Sequence, residues 1–158
     1  MSDPKLIMEL TPTLTTDPAD LADMAELLTL CGLPTDGLAD VTECVVLRRQ
    51  GCVVACSAIE VRGKSGLLRS VAVHPDLRGQ KLGKTVVVMA IFVAVMHGAI
   101  RTYLLTEGAT DFFAHHFFTV IDRADVDPAI QQTVEFTSAC PASATVMLLD
   151  LTRFAAKP

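Results

Sequence analysis

The sequence has no paired cysteine spacing, no apolar run of membrane length, no basic excess and no internal repeat, and each absence removes a class of function. Its five cysteines, at 31, 44, 52, 56 and 140, are odd in number and form no short pair of the zinc-ribbon kind. Cys52 and Cys56 share strand parity, but at ~3.3 Å rise per residue they stand ~13 Å apart, too far for one disulfide or one metal ion. The thiols read as buried packing groups, and no metal site is expected. The longest apolar run, Val86 to Met96, is about half of the ~20 residues that cross a bilayer, so it reads as a buried helix. Met1 to Leu10 carries acids and Pro4 but no signal-peptide core, which leads to the expectation of a cytoplasmic protein. The formal net charge of −5 argues against nucleic-acid and anionic-membrane partners.

What remains is a chain of 158 residues, the size of one domain spanning 1–158, with 51% apolar and 20% charged residues. Its few cations are unevenly placed. Arg62, Lys64, Arg69, Arg78, Lys81 and Lys84 face only Asp76 in their stretch, which suits an anionic ligand such as a polyphosphate.

Asp17-Pro18 reads as an N-cap with proline in the first turn, opening an amphipathic helix that ends near Gly32 and Pro34. Cys44 to Arg49 and Cys52 to Val61 form a hairpin about Gln50-Gly51, and the second strand is apolar on both parities, hence central. Leu67 to Val73 is the next strand, Gly83 to Gly98 a helix, and Ile100 to Thr106 a strand that returns parallel. Asp111 to Phe118 and Pro128 to Phe136 read as short helices, Val120 to Asp122 as a short extended piece, and Ala144 to Leu151 as the last strand. The expected class is α/β, with a mixed central sheet and helices on both faces.

The chemistry concentrates in Val71-Ala-Val-His-Pro-Asp-Leu-Arg-Gly-Gln-Lys-Leu-Gly-Lys-Thr85, where a strand runs through a glycine-containing loop into a long helix. Amides at such a helix start converge on an anion, and the helix dipole adds about half a positive charge. The spacing is neither that of a Walker loop nor that of a dinucleotide fingerprint. The stretch resembles the pyrophosphate motif of the GNAT acetyltransferases, Arg/Gln-x-x-Gly-x-Gly/Ala after a Val-x-Pro strand end, with Arg78, Leu82 and Gly83 in register.

This resemblance implies a GNAT fold with a splayed parallel strand pair, and acetyl-CoA as cofactor held by Val71, Ala72, Val73, Arg78, Gly79, Gln80, Lys81, Leu82, Gly83, Lys84 and Thr85. Val71 and Val73 would pair their backbones with the pantetheine arm, and one amide would polarise the thioester carbonyl. Lys81 replaces the first motif glycine, and is either a phosphate contact or a solvated side chain.

Tyr103 to Thr106, Asp111 to Ala114, Ile121-Asp-Arg123 and Glu135 to Ala144 further resemble the small acetyltransferases of arsenic-resistance operons, a group similar to the acetyltransferase domain of N-acetylglutamate synthases. The implied acceptor is the amine of an amino acid or of an arsenic-containing analogue. Phe112 and Phe113 stand where many GNAT enzymes have the tyrosine that protonates the leaving thiolate, and Phe117 replaces the glycine of a Gly-Phe pair. His115 and His116 are the nearest titratable replacements, with His116 taken forward; neighbouring helical residues diverge, so one site cannot take both.

Glu107 and Glu135 are the candidate bases for the acceptor amine. Arg69, a cation inside a central strand, calls for a partner, either an acceptor carboxylate or Glu60 on the neighbouring strand. Cys140 and Ser143 are implied by resemblance to line the acceptor pocket. A CoA-binding module without turnover is the alternative that Lys81, Phe113 and Phe117 keep open. The helix from Gly83 to Met96 is apolar all round and calls for cover on nearly all sides, from neighbouring helices, the C-terminal segment or a second copy; a homodimer is the expectation, with Val87 and Val95 as probe positions.

Overall fold

A computed structural model describes residues 10–154. The reading of Met1 to Leu10 as lacking a signal core therefore falls, Leu10 apart, outside the described residues.

Seven strands make one sheet in the order β1-β2-β3-β4-β5-β7-β6: β1 Pro12–Thr15, β2 Glu43–Arg49, β3 Cys52–Arg62, β4 Ser65–Val73, β5 Arg101–Thr106, β6 Thr119–Ile121 and β7 Thr145–Asp150. Every pairing is antiparallel except that of β4 with β5. The β2–β3 turn has positive φ at both Gln50 (52°) and Gly51 (81°), the hairpin geometry whose twist matches its strands.

Two helices cover the two faces. In α1 (Pro18–Leu30), capped by the Asp17 carboxylate on the Ala19 amide, Met24, Leu27 and Leu28 pack on Cys44, Val46, Cys56, Ala58 and Ala72. In α2 (Leu82–Met96), Val86, Val87, Ala90, Val93 and Ala94 pack on the opposite parity of the same strands, Val45, Leu47, Ala55 and Ile59. β3 is thus buried from Val53 to Glu60, as its unbroken apolar run requires.

The outline matches the expected mixed sheet with helices on both faces, and the differences are local. The helix expected over Asp111 to Phe118 is only α3 (Thr110–Ala114), because the chain turns at Phe117 with φ 72°. The one expected over Pro128 to Phe136 is a short α4 (Pro128–Gln131), followed by a π turn over Glu135–Ala139. On the outer face of α2, Val88, Phe92, Val95 and Met96 are exposed, so among the described residues nothing in the chain itself supplies the cover expected there.

Candidate active site

The site begins with a register fault. β4 pairs with β3 at Ala58↔Arg69 and again at Cys56↔Ala72, so Ser70 and Val71 together oppose Ser57 alone. This β-bulge puts Ser70 at φ 58° and turns β4 away from β5, whose parallel pairing is confined to Ser65–Leu67 with Arg101–Tyr103. Beyond that point the two strands diverge around a cleft of about 1160 Å³. The His74 amide donates back to the Val54 carbonyl of β3, so by strand alternation Val73 and Val71 present their amides and carbonyls to the cleft. The Val73 carbonyl accepts from Arg78 Nε at 3.3 Å and from the Cys31 thiol at 3.6 Å.

Below the strand end, Gly79 (φ 87°) and Lys81 (φ 65°) fold the loop back into α2. Lys81 is its N-cap residue, without a side-chain cap, and the first helical bond runs from the Thr85 amide to the Lys81 carbonyl. Leu82, Gly83 and Lys84 therefore enter the helix with amides that have no intrahelical acceptor. Lysine does adopt the left-handed conformation for which the related motif uses glycine. A Cβ on Gly83 would lie 3.2 Å from the Phe112 ring, so the bare backbone admits that ring against the helix start.

Phe112 meets Phe113 edge-on at 5.0 Å and His116 at 4.7 Å. Both His115 and His116 line the cleft, contrary to the expectation that one site takes only one of them. The reason is that α3 stops at Ala114, so the pair lies in a turn rather than on a helix. Burial, with Lys84 and His115 adding like charge, pushes His116 below the ordinary imidazole range and leaves it neutral at pH 7.

At the other end lies a buried polar group. The Arg69 side chain is 0% exposed; its Nε is 3.2 Å from both Glu135 Oε2 and Ser70 Oγ, and one Nη donates to the Asp36 carbonyl at 2.5 Å. The expected alternative partner, Glu60, is instead held by Arg62 at 2.7 Å, because Arg62 stands two residues along the same strand face. The other Nη of Arg69 has no hydrogen-bond partner among the described residues and faces Gly37, where a Cβ would lie 3.3 Å away. Cys140 donates its thiol proton to Glu135 Oε1 at 3.0 Å, and burial, reinforced by that carboxylate, pushes this thiol up to about 12. The thiol stays protonated at neutral pH and is therefore a poor nucleophile. Glu107, exposed at the end of β5, completes this wall.

Of the expected residues, Val71, Ala72, Val73, Arg78, Gly79, Lys81, Leu82, Gly83, Lys84, His116, Glu107, Glu135, Arg69 and Cys140 all border one cleft. Gln80, Thr85 and Ser143 are not among the residues lining it. Ser143 is exposed in the turn before β7, and the Thr85 hydroxyl donates to the Lys81 carbonyl. Sequence reasoning missed the walls supplied by Cys31, Leu33 and Pro34 and the bulge at Ser70; no glycine or asparagine marks that bulge.

The sequence matches the acetyltransferase (GNAT) family over residues 10–120. No curated protein sequence matches it. Among solved structures it is similar to Rv2747 from Mycobacterium tuberculosis, in complex with CoA and NLQ (24% identity, TM-score 0.72, covering 88% of this chain and 99% of that one). It is also similar to N-acetylglutamate synthase from Neisseria gonorrhoeae, complexed with coenzyme A and N-acetyl-glutamate (16% identity, TM-score 0.73, covering 90% of this chain and 36% of that one). A GNAT-family acetyltransferase from Staphylococcus aureus Mu50 has 13% identity and a TM-score of 0.69, with 89% and 99% covered.

Proposed function

The chain belongs to the acetyltransferase (GNAT) family, and from that premise we propose that it transfers acetyl from acetyl-CoA to the amine of a small amino-acid-like acceptor. The observation that carries the proposal is the splayed β4–β5 cleft, with an open backbone edge at one wall and a basic helix start at its end.

The residues present fit this donor. Val71 and Val73 offer an extended arm the backbone groups that β3 does not engage, the Val73 carbonyl already accepting from Arg78 and Cys31, while Arg78, Lys81, Lys84 and the first amides of α2 would hold a polyphosphate. Acetyl-CoA supplies the activated thioester. The Val71 and Val73 amides would orient it, and an amide on this strand would polarise its carbonyl. Glu135, with Glu107 beside it, takes the proton that the amine must lose before attack. His116, neutral at pH 7, hands a proton to the departing sulfur only after collecting one, for which a water chain from the carboxylates serves.

An amino-acid-like acceptor is supported by the mixed charge of this end, two glutamates for the ammonium and Arg69 for a carboxylate. Since Arg69 is fully buried, a carboxylate meets its unpartnered nitrogen only when the Asp36–Gly37 turn yields. Glutamate and arsenical or phosphinic amino acids lead the acceptor series, following the resemblance to arsenic-operon and N-acetylglutamate-synthase domains. The setting proposed is cytoplasmic, in keeping with five free thiols, and the assembly a homodimer through α2. Among the described residues no helix is long and apolar enough to cross a membrane.

The second reading, a CoA-binding module without turnover, is favoured by Phe112 and Phe113 where a tyrosine acid is common. One experiment separates the two. Calorimetry with acetyl-CoA is expected to show micromolar binding, and thiol release is expected with amino acids and not with their decarboxylated amines. No binding at millimolar acetyl-CoA overturns both readings. Binding without thiol release from any acceptor selects the second, and equal turnover of the decarboxylated amines removes the carboxylate from the first.

A further inference from the structure

Arg123 does not line the cleft and, among the described residues, has no ion pair, yet its Nε and one Nη are buried without a hydrogen-bond partner there. A guanidinium so placed is costly unless some other group stabilises it. The group it has is an aromatic ring: its Cζ lies 5.2 Å from the centroid of Phe136, within cation–π range. Its backbone is fixed independently, because Gln131 Nε2 donates to the carbonyls of Val126 at 2.8 Å and Arg123 at 3.4 Å. Val126 in turn is buried with Leu67, Tyr103, Ile130 and Val146, against which Phe136 also packs.

Phe136 is the second residue of the π turn that carries Glu135. That turn closes with the Cys140 amide on the Glu135 carbonyl at 3.1 Å, five residues back. The extra residue matters. In a regular α-helix residues five apart stand ~140° from one another around the axis and their side chains do not meet. The wider π turn brings them to one side and allows the Cys140 thiol to reach Glu135 Oε1, while Oε2 lies on Arg69. A slip to α-helical register would separate the pair.

We infer that Arg123 is a positioning residue, whose guanidinium on the Phe136 ring holds the Glu135–Ala139 turn in the register that sets Glu135 between Arg69 and Cys140. The inference for catalysis rests on the reading of Glu135 as the base, so the test has a readout besides activity. Peptide-resolved alkylation of the whole chain with iodoacetamide at pH 8 measures Cys140 directly, with exposed Cys52 as internal reference. Loss of the ring contact is expected to speed Cys140 alkylation about tenfold in Arg123→Met, and as much in Phe136→Leu, while Arg123→Lys stays near wild type. In acetyl transfer, Arg123→Met is expected to lower kcat about tenfold with KM for acetyl-CoA unchanged, and Arg123→Lys to recover most of it. Wild-type Cys140 reactivity in both Arg123→Met and Phe136→Leu overturns the positioning role. If Glu135→Gln leaves kcat unchanged, the base assignment fails, and the labelling result still decides the role of Arg123.

Discussion

Of the four side-chain-bearing residues with positive φ among the described residues, Lys81 and Phe117 sit where the related motif has glycine. Lys81 and Phe117 hold φ at 65° and 72°, the left-handed region that costs a side-chain-bearing residue about 1–2 kcal/mol. Glycine removes that cost and gives some of it back in unfolded-state entropy. Phe117→Gly is therefore expected to raise the unfolding free energy by about 1 kcal/mol, seen as a higher denaturant midpoint at constant slope. A lower midpoint would show that the exposed ring contributes more than the backbone costs. Lys81→Gly should move stability in the same direction and acetyl-CoA binding in the opposite one, since it removes a cation from the polyphosphate end. Tighter binding in that variant would show that close backbone approach outweighs the charge.

At the level of elements, the sequence announced what depends on neighbours in sequence and withheld what depends on neighbours in space. The Asp17-Pro18 start of α1, the long α2 and the two-faced β3 were legible because capping, length and parity are local signals. The cleft was legible only as a strand–loop–helix motif. What opens it, the bulge at Ser70, arises from pairing with Ser57 across the sheet and leaves no trace in composition. The π turn is similar: Glu135 was singled out, but its contact with Arg69 is tertiary, and its contact with Cys140 five residues on depends on a turn type that the spacing does not announce.

The thiols under α1 make a prediction at the same scale. Burial pushes Cys44 on β2 up to about 11 from its ordinary value near 9, and raises Cys56 on β3 further. Both groups are neutral in the fold and ionise first in the unfolded chain, so stability is full below pH 9 and is lost as pH rises from 9 toward 11. Melting temperature is expected to fall over that window, and more gently in a Cys44→Ala, Cys56→Ala double variant. Equal slopes in the two proteins would assign the loss to other groups.

For the whole molecule, the decisive surface is the outer side of α2. Val88, Phe92, Val95 and Met96 recur at helical spacing and are 49%, 58%, 51% and 66% exposed, a single apolar stripe. The only charged residue of the helix, Lys84, lies at its start and outside the stripe. A two-fold axis through such a face would set it against itself without opposing like charges, which is the ground for the proposed homodimer. The two probe positions read from sequence now separate. Val87 is 0% exposed and packs on the sheet, so Val87→Asp is expected to unfold the chain whatever the oligomer. Val95→Asp leaves the core untouched and is expected to yield a folded monomer that still binds acetyl-CoA, because the cleft lies against the start of the helix rather than this stripe. Light scattering at micromolar concentration checks both. A wild-type monomer with no concentration dependence rejects the dimer, and a dimer that survives Val95→Asp and Phe92→Asp places the interface elsewhere.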